Sequence, residues 1–487
     1  MTERVDPYAQ SHALPPDAPP DHLRKGTLKT VHVVGLVIAA AAPLSVVTAL
    51  VPLAILLGNG VGTPGAVFLV AIVLALFSIG FVRVVPHIQN AGAFYAYISQ
   101  SLGKPVGLAS AYVLVLAYLA LGGSVAAGFG YFGADLIERL IGIDVHWLVI
   151  SILGAFLASV LAVLGIDLSA RVVVVILLLE GLIVAVVNIA IVVQAGLGAF
   201  SLDAISPSHV FSGSPGVAVV YVFTFFLGFE ATAIYSEETA NPRRTVPRAT
   251  YYVIAIIALF DGLTAWCLIA GAGFDKAVGL VAQEPGAFMF TLTEQYVGSA
   301  WADLVSIMVV VSIFAGILAF QNAAARYFFA LARDGVLPRV LTTTYRRTGT
   351  PAAGLVLTGL IFGFTCVAYG AAGLDPLLDL STSLIGLGAL GLLAMLTLTS
   401  LSVAIFFYRQ GQITVAHVGI PVLAALLLGA CTAAVLHNYS ALSGSNSWVI
   451  NGMPLIFLPV ALVGVGVALW LRGRDRQRYD VMGSSRV

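Results

Sequence analysis

Long apolar runs determine what this chain can fold into. A helix of about 20 apolar residues crosses the hydrocarbon core of a bilayer, and twelve nearly uncharged runs approach or exceed that length: 31–57, 64–86, 105–133, 145–165, 170–195, 215–237, 249–272, 301–331, 351–371, 381–408, 417–437 and 454–472. Each run must be helical, because an open strand edge would leave backbone groups without partners in lipid. The sequence therefore predicts an all-α polytopic membrane protein with 12 transmembrane helices.

Composition and motifs argue against other classes of protein. The chain is 60% hydrophobic and only 9% charged, which is too little charge to cover a water-soluble protein. Its 23 basic and 23 acidic residues cancel, so we expect no nucleic-acid partner. The three cysteines have no metal-binding spacing, and we expect no metal site and no bound cofactor. No Walker A, GxSxG or HExxH motif is present, so we expect neither an ATP-driven pump nor an enzyme.

Basic residues predict the orientation in the membrane. If both termini are cytoplasmic, 21 of the 23 basic residues lie in cytoplasmic segments, and only Arg139 and Lys276 lie outside. Such a bias is typical of the inner side of a membrane. We therefore expect a multi-pass protein of the plasma membrane with both termini in the cytoplasm. Residues 1–30 are polar and proline-rich and predict a disordered cytoplasmic tail, and residues 473–487 predict a basic cytoplasmic tail.

Two runs contain residues that are unfavourable in a continuous helix facing lipid. In the first, Pro43 follows four alanines, and a mid-membrane proline kinks or breaks a helix. In the sixth, Gly228 precedes Glu230, and a carboxylate at that depth costs about 2.5–3.5 kcal/mol on insertion scales, so it usually faces a cavity. Interrupted helices five spans apart are typical of an inverted five-helix repeat. Freed N–H groups would then hold a substrate carboxylate, and freed carbonyls an ammonium.

Other polar residues lie within the apolar runs. The carboxyl groups of Glu180 and Asp261 are candidates for proton coupling, because a buried carboxyl group can carry a proton. For the amides and tyrosines we expect hydrogen bonds between helices; these are Tyr118, Asn188, Gln321 and Asn322. Residues 92–104 are rich in aromatic side chains and predict either a short interfacial helix or an aromatic belt.

The sixth run and the segment after it resemble the signature of the amino acid–polyamine–organocation (APC) permeases. The Gly228-Phe229-Glu230 triplet is followed by Glu237-Glu238, by Asn241-Pro242 with Arg244, and by Pro247-Arg248-Ala249, in the order and spacing of that family. Two further stretches are similar to it, Pro86 with Gly92–Tyr95 and Arg333–Pro338. The resemblance extends over residues 31–472.

This resemblance implies a LeuT-like fold. It would consist of a first five-helix repeat (31–195), an extracellular loop (196–214), an inverted second repeat (215–408) and a C-terminal two-helix hairpin (409–472). Substrate would bind between the broken helices 1 and 6. Carried over by position, the site falls on Ala39, Ala40, Ala41, Ala42, Pro43 and Ser45 and on Phe225, Gly228, Phe229 and Glu230.

Two positions depart from the family pattern. Four alanines replace the glycines that the family often has at the first break, and Glu180 stands where some proton-coupled members have a lysine. The charge at that position is therefore reversed.

The sequence as a whole predicts a secondary amino acid permease that works by alternating access. We expect proton-coupled symport, with protons favoured over sodium, and a monomer or homodimer in the lipid bilayer. The alternatives are a polyamine or organic-cation carrier, an amino acid exchanger of the same fold, and a nutrient sensor that does not transport.

Overall fold

The computed structural model describes residues 28–484, except 89, 91, 240 and 444–446. In this part the secondary structure is helical, and its only β contact is an isolated bridge between Leu28 and Thr239. Eleven continuous helical stretches in it are long and apolar enough to cross a bilayer. The chain is a polytopic helical membrane protein, as predicted.

The first of these stretches, Thr30–Val84, has 55 residues and must hold more than one crossing. A straight helix of that length would measure about 80 Å, whereas the hydrocarbon core is about 30 Å thick. The helical path is lost at Gly58, with φ −96° and ψ −116°, and Gly60 has a φ of 59°. This interruption supports the two predicted runs 31–57 and 64–86. The total of twelve spans and the five-plus-five repeat stay predictions.

The long helices follow one another with short connections. They are α1 (Thr30–Ala41), α2 (Thr63–Val84), α3 (Phe94–Leu102), α4 (Lys104–Ile141), α5 (Trp147–Leu164), α6 (Ile166–Ala195), α7 (Pro215–Phe225), α8 (Pro242–Ala272), α9 (Ser299–Arg333), α10 (Ala352–Ala371), α11 (Thr382–Arg409), α12 (Ile420–His437) and α13 (Phe457–Arg474), followed by the short α14 (Arg476–Val481). Further short α-helices are Pro43–Ser45, Val51–Leu53, Pro207–Val210, Ala277–Gln283, Phe288–Tyr296, Tyr439–Ser443 and Trp448–Asn451.

Tighter and wider helical turns occur at several joints. The 3-10 segments are Gly60–Gly62, Leu197–Ala199, Leu202–Ile205, Phe229–Glu238, Arg339–Thr342 and Met453–Ile456. The π segments are Val46–Leu50, Ala54–Asn59, Pro376–Ser381 and Val415–Gly419. Both kinds of turn are usually short, and inside a longer helix they often mark a hinge or a functional site.

The centre of the bundle is packed through small residues. Helix α4 contacts α9, α11 and α13 along its length. A Cβ added to Gly122 of α4 would lie 1.9 Å from the Phe362 ring, and one added to Gly388 of α11 would lie 2.4 Å from Leu121. Small residues let membrane helices approach closely, and dispersion contacts then hold them together without a hydrophobic driving force. The outward faces are apolar instead: Leu178, Phe364 and Leu426 are each more than 60% exposed.

The aromatic segment 92–104 contains the predicted short helix, and its burial is the part that differs from the expectation. It forms the helix α3, but Phe94, Tyr95 and Tyr97 are almost completely buried within the protein. The Phe94 ring packs edge-on against Phe77 and Phe81 of α2. The helix is therefore part of the bundle core and neither lies on the lipid surface nor forms an aromatic belt.

The end of the chain also packs against the bundle. Met482 is fully buried, the Gly483 N–H donates to Asp334 Oδ2 at 2.8 Å, and the Asn90 amide donates to the Ser484 carbonyl at 2.8 Å. The predicted tail 473–487 is thus ordered as far as residue 484. Residues 1–27 of the predicted disordered tail, and residues 485–487, lie outside the described part.

Candidate functional site

The first helix is interrupted one residue before Pro43. Helix α1 ends at Ala41, and Ala42 has a φ of 47° and a ψ of 64°, in the left-handed region. A proline disfavours the α conformation of the residue before it, and it cannot donate a backbone hydrogen bond itself. The Ala42 carbonyl accepts both the Ser45 hydroxyl at 2.7 Å and the Val46 N–H at 3.1 Å, so it is bonded on the far side of the break. The interruption that Pro43 predicts is confirmed.

The second interruption follows α7, which ends at Phe225. Gly228 has a φ of 98°, and the chain then continues as a ten-residue 3-10 helix, Phe229–Glu238. A 3-10 segment of this length is uncommon and its hydrogen bonds are weak. The sequence feature that predicted the interruption, a glycine beside a buried acid, therefore coincides with a change of helix type.

The two interruptions contact each other. A Cβ added to Gly228 would lie 2.5 Å from the Ala40 Cβ and 3.4 Å from the Val37 carbonyl oxygen. The residues predicted to form the substrate site are brought together here and are buried, except Ser45, which is partly exposed: Ala39, Ala40, Ala41, Ala42, Pro43, Ser45, Phe225, Gly228, Phe229 and Glu230.

Glu230 is fixed at the second interruption by two donors. Its Oε2 accepts from the Gly228 N–H at 3.1 Å, and its Oε1 accepts from the Tyr118 hydroxyl at 2.8 Å. Tyr118 lies on α4 and belongs to an aromatic cluster with Phe320 and Tyr327 of α9, at ring-centroid distances of 6.4 and 5.6 Å. Glu230 thus connects the interrupted helix to two neighbouring helices. The sequence predicted a hydrogen bond for Tyr118 but not its partner.

Glu180 reaches the first interruption from α6. It is 1% exposed, and its Oε2 accepts from the Leu44 N–H at 3.4 Å, a donor just past the break. The hydroxyl of Ser312 on α9 is a second donor close to this carboxyl group. Glu180, which occupies the position of a lysine in some members of the resembling family, therefore lies at the first break.

Asp261 on α8 is the second coupling candidate and is fully buried. Neither of its carboxyl oxygens has a hydrogen-bond partner among the described residues. It lies close enough to Glu180 for two charged forms to repel each other. Buried polar atoms without partners are rare in proteins and require a physical explanation, such as a bound proton, ion, water or ligand.

Two arginines of α9 hold the end of the interrupted helix. Arg326 pairs with Glu238 in a two-pronged contact of 2.5 and 3.0 Å, and Arg333 pairs with Glu237 at 2.7 and 2.8 Å. Sequence reasoning missed both pairs. The signal was present as an arginine inside the apolar run 301–331 and two adjacent acids after the sixth run, because a buried arginine requires a partner.

Two of the three amides singled out in the apolar runs form the interhelical hydrogen bonds expected for them. Asn188 donates to Thr264 at 3.0 Å, and Gln321 donates to the Leu355 carbonyl at 3.0 Å. Asn322 bonds within its own helix and accepts from Arg326 at 3.1 Å. These residues stabilise the bundle around the interruptions.

A cavity of about 340 Å³ lies away from the two interruptions. Its lining is mainly apolar side chains and glycines near the turn after the first run, and it includes none of the residues of the breaks: Ile55, Leu56, Gly58, Asn59, Gly60, Val61, Ser212, Gly213 and Val278. It offers few groups that could recognise a charged solute.

Comparison with known proteins agrees with the geometry. The profile of the family described as Amino acid permease matches residues 28–470, a range that includes both interruptions and both arginine pairs. The chain belongs to the amino acid permease family. Its members are transporters, which supports the expectation that the chain is not an enzyme.

Several characterised permeases are similar to this one. The branched-chain amino acid permease BcaP of Bacillus subtilis is 24% identical over 442 residues, covering 83% of this chain and 88% of its own. The low-affinity putrescine importer PlaP of Escherichia coli K12 is 26% identical over 402 residues, covering 80% and 84%. The methylthioribose transporter of Bacillus subtilis is 25% identical over 363 residues, covering 71% and 73%. The names of these relatives specify three kinds of solute: branched-chain amino acids, putrescine and methylthioribose.

Proposed function

We propose that this permease is a secondary transporter that carries a small amino compound across the plasma membrane by alternating access. The contact between the two interrupted helices supports this proposal more than any other observation. Gly228 touches Ala40 at the point where both backbones leave the helical path, and the freed peptide groups there can bind a polar solute.

Alternating access requires that one side of the site can close while the other opens. The pairs Arg326–Glu238 and Arg333–Glu237 hold the end of the interrupted helix against α9. The 3-10 segment between Gly228 and these pairs is weakly hydrogen-bonded, so it can change shape when the pairs separate. We therefore assign the closing of the predicted cytoplasmic side to these two pairs.

Coupling to a proton gradient is assigned to the buried acids. Glu180 and Asp261 lie near the first interruption and come close enough to influence each other's charge, and both carboxyl oxygens of Asp261 have no partner among the described residues. A proton on one of them would remove a buried charge and change the hydrogen bond to Leu44. Glu230 orients the solute at the second interruption.

Uptake into proteoliposomes tests the function. The purified full chain should accumulate a radiolabelled amino acid or amine when the lumen is more alkaline than the outside, and should not do so without the gradient. If uptake requires substrate on the opposite side and ignores the gradient, the protein is an exchanger. A reconstituted protein that moves no amino acid or amine under any gradient would contradict the proposal.

Two variants test the assigned residues. Glu180→Gln should abolish gradient-driven accumulation, whereas Glu230→Gln should weaken substrate binding. The control is Glu284→Gln, which neutralises an exposed acid away from both interruptions and should transport like the wild type. Full gradient-driven uptake by Glu180→Gln would exclude its coupling role.

A further inference from the structure

Two of the donors that the helix breaks set free are already bonded to acids of the protein itself. The Leu44 N–H, past the first break, donates to Glu180, and the Gly228 N–H, at the second break, donates to Glu230. Hydrogen bonds from backbone N–H groups to carboxylates are charge-assisted, and here the N···O distances are 3.4 Å at Leu44 and 3.1 Å at Gly228. A substrate carboxylate that sought these donors would have to displace a buried carboxylate of the same charge.

The buried charges of the described residues are mostly negative. Five acids are buried, and only one base, Arg326, is buried with them. Arg326 is committed to Glu238, and Asp334 accepts from Tyr95 and Gly483. The three remaining buried acids lie at or near the interruptions: Glu180, Glu230 and Asp261. No buried base in the described part is left to bind a substrate carboxylate there.

Near the first break both carboxyl oxygens of Asp261 have no partner among the described residues, whereas Glu180 has the Ser312 hydroxyl close to it. An ammonium group carries three N–H donors and no acceptor, whereas a carboxylate carries only acceptors. An amine would therefore give these oxygens partners and neutralise their charge, and a carboxylate would do neither.

The surroundings of Glu230 also suit a cation. Its partner Tyr118 lies directly against the carboxyl group, and the rings of Phe320 and Tyr327 pack against Tyr118. The faces of aromatic rings attract cations by about 0.5–2 kcal/mol. Acids and aromatic rings together form the usual chemistry of an amine site.

We propose that the substrate is an aliphatic amine without a carboxylate, and that a diamine is the best match for the acids at the two interruptions. This inference rests on the proposed function and narrows it from amino compounds in general to one class. It also replaces the expectation that the freed N–H groups hold a substrate carboxylate.

Matched pairs of compounds that differ by one carboxylate test the inference. The pairs are cadaverine and lysine, putrescine and ornithine, and 3-methylbutylamine and leucine. Titration of the purified full chain should give each amine a Kd at least about ten-fold lower than that of its amino acid. Equal or tighter binding of the amino acids would overturn the inference and leave the proposed permease function intact.

Neutral variants test the role of the acids. Glu180→Gln and Glu230→Gln should each reduce the ratio of the lysine Kd to the cadaverine Kd by about ten-fold. Glu284→Gln should leave this ratio unchanged. Two variants are used so that one that fails to fold does not decide the question. An unchanged ratio in every folded variant would overturn the role of these carboxyl groups. If none of the six compounds binds, the inference fails, and the proteoliposome assay with other amino acids and amines decides the proposed function separately.

Discussion

Arg326 and Glu238 form an ion pair in which both side chains are almost completely buried, at 0% and 2% exposure. The guanidinium also donates to the Asn322 carbonyl at 2.7 Å and lies 4.9 Å from the centre of the Tyr235 ring. All these partners lie on α9 or on the 3-10 segment that follows Gly228. The pair therefore joins the 3-10 half of an interrupted helix to a long continuous one.

Removing one partner of this pair should destabilise the protein strongly. Glu238→Gln leaves the Arg326 charge buried without a counterion, and we expect a loss of about 3–5 kcal/mol in the free energy of unfolding. The double variant Glu238→Leu with Arg326→Met should recover most of that loss. The control is Asp135→Asn in the half-exposed pair with Arg139, for which we expect less than about 1 kcal/mol. Unfolding in detergent measures all three, and equal losses for Glu238→Gln and Asp135→Asn would contradict the prediction.

Gly228→Ala should reduce transport and stability together. The added methyl group would meet Ala40 at 2.5 Å, and the φ of 98° strains any residue with a Cβ. We expect uptake to fall by about ten-fold or more if the breaks are pushed apart. Gly363→Ala is the control, because this helical glycine of α10 has nothing within 4 Å of an added Cβ. Normal uptake by Gly228→Ala would show that the tight contact is not required.

Hydropathy predicts the membrane-embedded parts of this chain well because burial in lipid demands apolar residues over a full crossing. It does not predict where helices end. Helix α4 continues to Ile141, past the run that ends at residue 133, because Asp135 and Arg139 form an i,i+4 pair that supports the helix outside the apolar part. Helix α8 likewise begins at Pro242, ahead of its apolar run, with a proline in its first turn.

The candidate site was predictable only in part. Pro43 and Gly228 are local causes of interruption, so the sequence indicates both breaks. The partners of Glu180 and Glu230 depend on helices that are far apart in the chain: 136 residues separate Glu180 from Leu44, and 112 separate Glu230 from Tyr118. No periodicity within one run contains that information, because it arises only when the helices pack.

Ala42→Gly should be tolerated or stabilising, whereas Ala41→Gly should destabilise. Ala42 is held at a φ of 47°, where a residue with a Cβ is disfavoured by about 1–2 kcal/mol and glycine is not. Ala41 is the last residue of α1, and glycine at a helical position costs about 0.5–1 kcal/mol. The midpoint of thermal unfolding should therefore be unchanged or higher for Ala42→Gly and lower for Ala41→Gly. A larger drop in the unfolding midpoint for Ala42→Gly than for Ala41→Gly would contradict the proposed backbone strain at Ala42.

The packing of the chain end predicts a difference between two neighbouring residues. Met482 is fully buried, and the next residue, Gly483, donates to Asp334. Met482→Ala should therefore lower the free energy of unfolding by about 2–5 kcal/mol. Val481 is 43% exposed, and Val481→Ala should change it by less than about 1 kcal/mol. Thermal unfolding of both variants in detergent compares them directly. Equal stability of the two variants would mean that the chain end does not pack against Asp334 in the folded protein.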